Sequence, residues 1–310
     1  MIDLQVASAA THSIDCIWRG PAALGESPLW DHRSGRLYWI DSLAHRIWFR
    51  CEVSGEIASW EQPGVVGSIG LCKGGGLVAA IDNMVGLVDA ETGVFTAMGD
   101  PVPLPEGARL NDGKVDRAGR FWCGSMNARF DAAIAELYRF DTDLAWQKMD
   151  SGFVVSNGIA FSPDDRFLYF SDSRSDRSFL YDFDLTRGTI ARRRPFVDTG
   201  AYDGRIDGAA VDRDGNYWAA LFDGWAVGCF DPEGRLTRRI ALPVRCPTMC
   251  TWGGTEFDRL YVTSATFLMD PEESAAQPLS GGLFEITGLG TIGLPEPEFG
   301  AEGSGAGHAP

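Results

Sequence analysis

Arg205-Ile206-Asp207-Gly208-Ala209-Ala210-Val211-Asp212-Arg213-Asp214-Gly215-Asn216-Tyr217-Trp218 is the stretch on which the reading of the fold turns. Its second half, Asp212 to Asn216 and then Tyr217-Trp218, reads as a tight turn feeding a strand. Asp and Asn bond their own backbone, Gly supplies positive φ, and aromatics suit a pleated, half-buried surface. Its first half sets a lone carboxylate, Asp207, ahead of a short run of small and apolar residues, Gly208 to Val211. A strand of that composition packs on both faces, so a carboxylate at its opening needs a donor or a cation as partner.

The same layout recurs along the chain. Asp- and Gly-rich turns lead into Leu37-Tyr38, Leu77-Val78, Phe121-Trp122, Leu168-Tyr169, Tyr217-Trp218 and Leu260-Tyr261, at steps of 40, 44, 47, 49 and 43 residues. Each unit continues through a polar turn into a further strand, as in Ile47 to Arg50 before Ser54-Gly55. Six units of this length, without a ten-residue helical pattern, predict an all-β fold: a six-bladed β-propeller of four-stranded antiparallel blades. Trp30, Trp39, Trp48, Trp122, Trp218 and Trp252 are expected to fill wedges between blades. Ser13 to Arg19 is a spare strand, and it is predicted to complete the last blade beside Leu283 to Ile286. The chain reads as a single domain over 1–310, with a core of about 13–290. From Leu294 on, Pro-Glu-Pro-Glu and then Gly/Ala/Ser composition predicts a flexible tail, 294–310.

Bulk properties narrow the function. The 310 residues carry a net charge of −16, which disfavours nucleic acid and anionic membrane surfaces as partners. No apolar run approaches a membrane span. Met1 to Val6 offers no basic, then apolar, leader. Seven scattered cysteines without a Cys-x-x-Cys pair predict buried thiols rather than a disulfide framework or zinc ribbon. These features point to a cytoplasmic protein, and no obligate protein partner is evident.

In a propeller the innermost strands line one channel, so residues at their openings converge. Four of the six openings offer an oxygen ligand at one register: Glu26, Asn111, Asn157 and Asp207. Two carboxylates and two amides suit Ca2+, Mg2+ or Mn2+ better than structural zinc. Ser68, Thr248 and Met249 at the other two openings could only shape the pocket. Asp112 and Lys114, flanking Asn111, read either as residues supporting the site from behind or, preferably, as turn residues, and the Asp212-to-Gly215 turn as scaffold.

Leu24-Gly-Glu-Ser-Pro-Leu-Trp30, Arg109-Leu-Asn-Asp-Gly-Lys-Val-Asp116, Ser156-Asn-Gly-Ile-Ala-Phe-Ser-Pro-Asp164 and Asp207-Gly-Ala-Ala-Val-Asp212 resemble the motifs of the regucalcin/gluconolactonase (senescence-marker-protein) family of sugar lactonases. The resemblance runs from about Leu24 to Ile286. It implies a six-bladed propeller with one catalytic divalent ion, Ca2+ first and Mg2+, Mn2+, Fe2+ or Zn2+ as alternatives. It implies Glu26, Asn157 and Asp207 as metal ligands, Asp207 also as general base, and Arg109 and Asn111 as substrate contacts. Whether Asn111 reaches the metal or only the substrate stays open. Gly124 to Arg129 departs from the acidic segment of animal members. It is expected to face the sugar, with Arg129 as a third contact.

The activity implied is metal-dependent hydrolysis of an aldono-1,4- or 1,5-lactone to the aldonic acid, with a small sugar lactone as the only partner. A non-catalytic calcium- or ligand-binding propeller and a paraoxonase-like hydrolase of other esters are the alternatives. Gly288-Leu-Gly-Thr-Ile-Gly lacks a βαβ setting, no Gly-x-Ser-x-Gly elbow occurs, and the four histidines lie in turns or tails.

Overall fold

A computed structural model of the chain describes residues 12–300. Six antiparallel blades form a ring, each blade's first strand neighbouring those of the blades on either side. These inner strands are Gly25–Asp31, Val66–Cys72, Ala108–Val115, Ser156–Phe161, Arg205–Val211 and Pro247–Gly253, in blades 1 to 6. Most of them are buried nearly throughout and are accordingly rich in small and apolar residues rather than alternating; Ala108–Val115, with Arg109, Asn111, Asp112 and Lys114, is the polar one. The ring closes as expected. Ser13–Trp18 pairs antiparallel with Leu283–Thr287, so the N-terminal strand is the outer strand of blade 6.

The repeated Asp turn has a physical basis. Asp212 is fully buried, and its carboxylate accepts from the backbone N–H of Asp214 and Asn216, from Asn216 Nδ2 and from Trp218 Nε1 at 2.9 Å. Asp116 serves blade 3 in the same way, receiving Ala118 N, Arg120 N and Trp122 Nε1. One side chain therefore folds the turn and also anchors the indole that follows it. The tryptophans then meet aromatic partners across blade boundaries: Trp218 against Trp252 at 5.4 Å, Trp122 against Phe161 at 6.0 Å, Trp30 against Tyr261 at 6.0 Å.

The inner strands share one irregularity. In all six blades the pairing of first and second strands slips near the opening: between Glu26 and Leu29, Val66 and Ser68, Leu110 and Gly113, Asn157 and Ala160, Ile206 and Ala209, Pro247 and Cys250. A bulge leaves residues unpaired and re-aims their side chains. Asn111, Asp112 and Asp207 lie inside these slips, and Glu26 and Asn157 border them. The residue after each of these two takes positive φ, +45° at Ser27 and +61° at Gly158. At Gly158 a Cβ would lie 2.2 Å from Tyr217 Oη, whose hydroxyl donates to the Gly158 carbonyl at 2.9 Å.

The C-terminal segment differs from the expected tail over 294–300; 301–310 and the Met1 to Val6 stretch lie outside the described residues. Glu298–Phe299 adds a parallel fifth strand to blade 2, opposite Leu71 and Cys72, and Phe299 is buried. Glu296 Oε1 accepts from Lys114 Nζ at 2.8 Å and from Thr251 Oγ1 at 3.0 Å. Arg213 N donates to the Ile292 carbonyl, and Gly300 N to that of Gly119. The segment thus ties blades 2, 3, 5 and 6 together across one end of the channel. Pro-Glu composition looks disordered only because each of its partners is far away in sequence. One short helix, Pro271–Ala276, capped by Asp270, interrupts blade 6, and no helix among the described residues is long and apolar enough to cross a membrane.

Candidate active site

At the opposite end of the channel, Glu26, Arg109, Asn111, Asn157 and Asp207 line one cavity of about 220 Å³. Four blades thus deliver their bulge residues to a single space. The entries to two of these strands are held by buried aspartates. Asp41 accepts from the backbone N–H of Ala23 and Leu24, and Asp172 from those of Val154 and Val155. Apolar side chains wall the outer part, among them Leu43, Met126, Phe130, Phe222 and Leu268.

A chain of hydrogen bonds sets the amides. Arg109 Nη1 donates to Asn111 Oδ1 at 2.9 Å. Asn111 Nδ2 donates to the Ser156 carbonyl at 3.0 Å and to Asn157 Oδ1 at 3.1 Å. Asn157 Nδ2 donates to Ser173 Oγ at 2.8 Å, and Ser173 Oγ donates to the Ile206 carbonyl at 2.7 Å. Because Ser173 spends its proton on Ile206, it must accept from Asn157. That fixes Asn157 with its oxygen turned away from Ser173. The relay ends at the residue before Asp207.

The carboxylates are the unbalanced part. Glu26 and Asp207 form no ion pair among the described residues. Burial drives the Glu26 carboxyl well above its ordinary range, Asp207 and then Asp112 push further, and Arg109 opposes them. Asp207, 7% exposed, is raised by burial and then by Asp112. Asp112 lies buried beside them rather than in a turn. It accepts the Ile159 N–H on Oδ2 at 2.8 Å, leaves Oδ1 without a partner, and is lifted by burial to about 6. Arg109 is itself lowered to about 10 by burial, against the pull of Glu26 and Asp82.

Uncompensated buried carboxylates call for a cation. Among the described residues no cluster of three or more His, Cys, Asp and Glu side chains is arranged to hold a metal ion, so amide oxygens would have to complete the set. Asn157 Oδ1, in the same cavity, is the oxygen of that kind, and the hard-oxygen set fits a divalent ion such as Ca2+. Asn111 has both amide hydrogens and its oxygen already engaged within the relay.

A model of the SMP-30/gluconolactonase/LRE-like region matches residues 24–266. The chain belongs to this family. In the family, 6-deoxy-6-sulfogluconolactonase of Pseudomonas putida is 37% identical over 289 residues, covering 93% of this chain and 98% of that protein. Regucalcin of Xenopus laevis is 32% identical over 294 residues, covering 92% and 98%. Among solved structures, the calcium-binding protein regucalcin of Agrobacterium tumefaciens aligns with a TM-score of 0.86 at 27% identity, over 92% of this chain and 96% of that one.

Within this family member, one expected contact is displaced. Arg129 does not line the cavity. It is exposed and lies 3.7 Å from Asp131, while Met126 and Ala128 of the same segment face inward. Met126 and Ala128 share one face, and the alternation that sends them inward sends Asn127 and Arg129 the other way. Ser173, Arg174, Arg205 and Phe130 line the cavity from turns and strand ends outside the repeated register, where no sequence signal marked them.

Proposed function

We propose that this chain hydrolyses an aldono-1,4- or 1,5-lactone, gluconolactone-like, to the aldonic acid, using one divalent ion held by Glu26, Asn157 and Asp207. The observation that carries this reading is the pair of uncompensated carboxylates, Glu26 and Asp207, opening into the cavity that also holds Arg109 and the two amides. The name of the Pseudomonas relative supports a sugar lactone, and the Agrobacterium neighbour supports Ca2+ as the first metal to try. The seven cysteines, all free thiols, support a reducing, cytoplasmic setting.

When bound, the ion supplies Lewis acidity toward a carbonyl or a water. Asp207 takes a proton from water as the water oxygen attacks the lactone carbonyl carbon. The bond from that carbon to the ring oxygen then breaks, and the ring oxygen takes the proton and leaves as a hydroxyl. One water enters and one hydroxy acid departs. Arg109 uses only Nη1 in the relay, so Nε and Nη2 are available to sugar oxygens. Ser173 keeps Asn157 oriented, and the apolar wall excludes competing water.

The test follows acid release in a pH-stat, with chelated protein reconstituted by Ca2+, Mg2+ or Mn2+. Chelation should abolish turnover, and Asp207→Asn should lose at least about 100-fold in kcat. Metal content is measured on the same sample. Full activity without metal, or in metal-loaded Asp207→Asn, overturns the reading. Metal binding with no acid release above the spontaneous rate would instead make this a binding propeller. Leu43, Phe130 and Leu268 favour a second reading, hydrolysis of apolar esters, which an alkyl- and aryl-lactone panel separates.

A further inference from the structure

Four arginines surround the cavity, and their states differ. Arg109 lies deep, against the carboxylates. Arg129 lies outside, beside Asp131. Arg205 is neutralised by Asp223 at 3.0 Å and Asp176 at 3.6 Å. Arg174 lines the cavity from the exposed turn between the second and third strands of blade 4, and no carboxylate lies within ion-pair distance of it among the described residues. Its neighbours in sequence are committed elsewhere: Asp172 to the Val154 and Val155 N–H groups, Asp176 to Arg205.

Arg174 is nevertheless held. Its guanidinium lies 4.3 Å from the centre of the Phe130 ring, which comes from blade 3. Stacking on one face leaves the edge donors of a guanidinium free, and those donors match carboxylate, sulfonate or phosphate oxygens. A neutral sugar needs no such partner. In a chain of net charge −16, with carboxylates on the cavity floor, an anionic ligand needs a local cation to enter at all.

Resting on the lactonase reading above, we propose that Arg174, stacked on Phe130, binds an anionic group at the far end of the substrate. The preferred substrate is then a sugar lactone that bears a carboxylate, sulfonate or phosphate remote from the ring carbonyl. The reacting carbon sits at the floor by Asp207, and Arg174 sits in a turn at the rim, so the anionic group belongs on the exocyclic end of the sugar.

The test uses the metal-loaded full chain. kcat/KM is measured for D-glucono-1,5-lactone and for its 6-phosphate, 6-sulfonate and 6-carboxylate counterparts. The anionic lactones should be favoured about tenfold or more, the size of one charge-assisted contact, and less so as salt is raised. Arg174→Gln should collapse that ratio, chiefly through KM, and Arg174→Lys should restore part of it. Arg129→Gln removes the same charge outside the cavity and should leave the ratio in place. Comparison of the three anionic lactones identifies which group is matched. A parent ratio near one, or Arg174→Gln acting equally on neutral and anionic lactones, overturns the proposal. If no lactone is opened, the lactonase reading has failed. Calorimetric binding of glucarate against gluconate, in parent and Arg174→Gln, then decides the Arg174 assignment separately: tighter glucarate binding that is lost in the variant upholds it, and equal binding overturns it.

Discussion

Replacing Glu296 by Ala tests whether the C-terminal segment is docked as described. Glu296 and Lys114 are each 11% exposed at the side chain and meet at 2.8 Å, and Thr251 donates to the same oxygen. Removing Glu296 leaves a buried ammonium with no other carboxylate in ion-pair reach among the described residues. Breaking such a pair by deleting one partner costs about 3 kcal/mol at the lower end of its range, which suits a pair that keeps slight access to water. At about 2 cal/mol/K of unfolding entropy per residue, a chain of this size loses about 5 °C in Tm for that cost. Urea unfolding with calorimetry measures both quantities. Glu296→Gln keeps the hydrogen bonds and should fall between Ala and parent. Lys114→Met with Glu296→Leu removes both charges and should recover most of the loss. Glu296→Ala within about 0.5 kcal/mol of the parent, the range of ordinary surface substitutions, would refute the docking of 291–300.

Two further outcomes concern the site. Ser173→Ala removes the acceptor that orients Asn157 and should weaken divalent-ion affinity about 10- to 100-fold by titration calorimetry, as loss of an outer-sphere partner does, with Ser173→Thr restoring it; unchanged affinity would sever the relay from metal binding. Asp112, raised from 3.8 to about 6, binds more protons folded than unfolded between those values, so metal-free protein should lose stability as pH rises from about 4 to about 6. The loss from Asp112 is about 3 kcal/mol at 1.36 kcal/mol per pH unit. Glu26 and Asp207 act in the same direction, and Asp112→Asn should flatten the curve by its share; urea midpoints between pH 4 and 7 that rise with pH would contradict the sign.

Much of this architecture was legible because one device repeats. In blades 3 and 5 the Asp that folds the turn also binds the following indole, so the chemistry that makes the blade also marks it in sequence. Glu26, Asn111, Asn157 and Asp207 could be read together because they share a register at the strand openings, and the structure brings them into one cavity. For Asp112 the sequence leaves both a supporting place and a turn open and favours the turn; the bulge between Leu110 and Gly113 sets it, buried, next to Asn111 instead. Arg129 falls on the face opposite Met126 and Ala128, so the segment reaches the cavity but this side chain does not line it. Ser173, Arg174 and Phe130 reach the cavity from turns, whose directions depend on tertiary contacts that no local pattern encodes. Glu296 and Phe299 took their order from Lys114, Thr251 and Cys72, none of them near in sequence.

The closure of the ring also sets an order of assembly. Ser13 and Thr287 share a hydrogen bond across 274 positions, so blade 6 stays incomplete until almost the whole chain has left the ribosome. Blades 3, 4 and 5, which carry Asn111, Asn157 and Asp207, are contiguous and can pack on one another as they emerge. Of the six inner strands the one holding Glu26 is made first, yet it has its blade 6 neighbour only at the end. Of the residues that line the cavity floor, the earliest synthesised is therefore the last to be fixed in place, and a partly made chain holds an incomplete site. An ion held there, as proposed, would report by its occupancy that the propeller has finished folding.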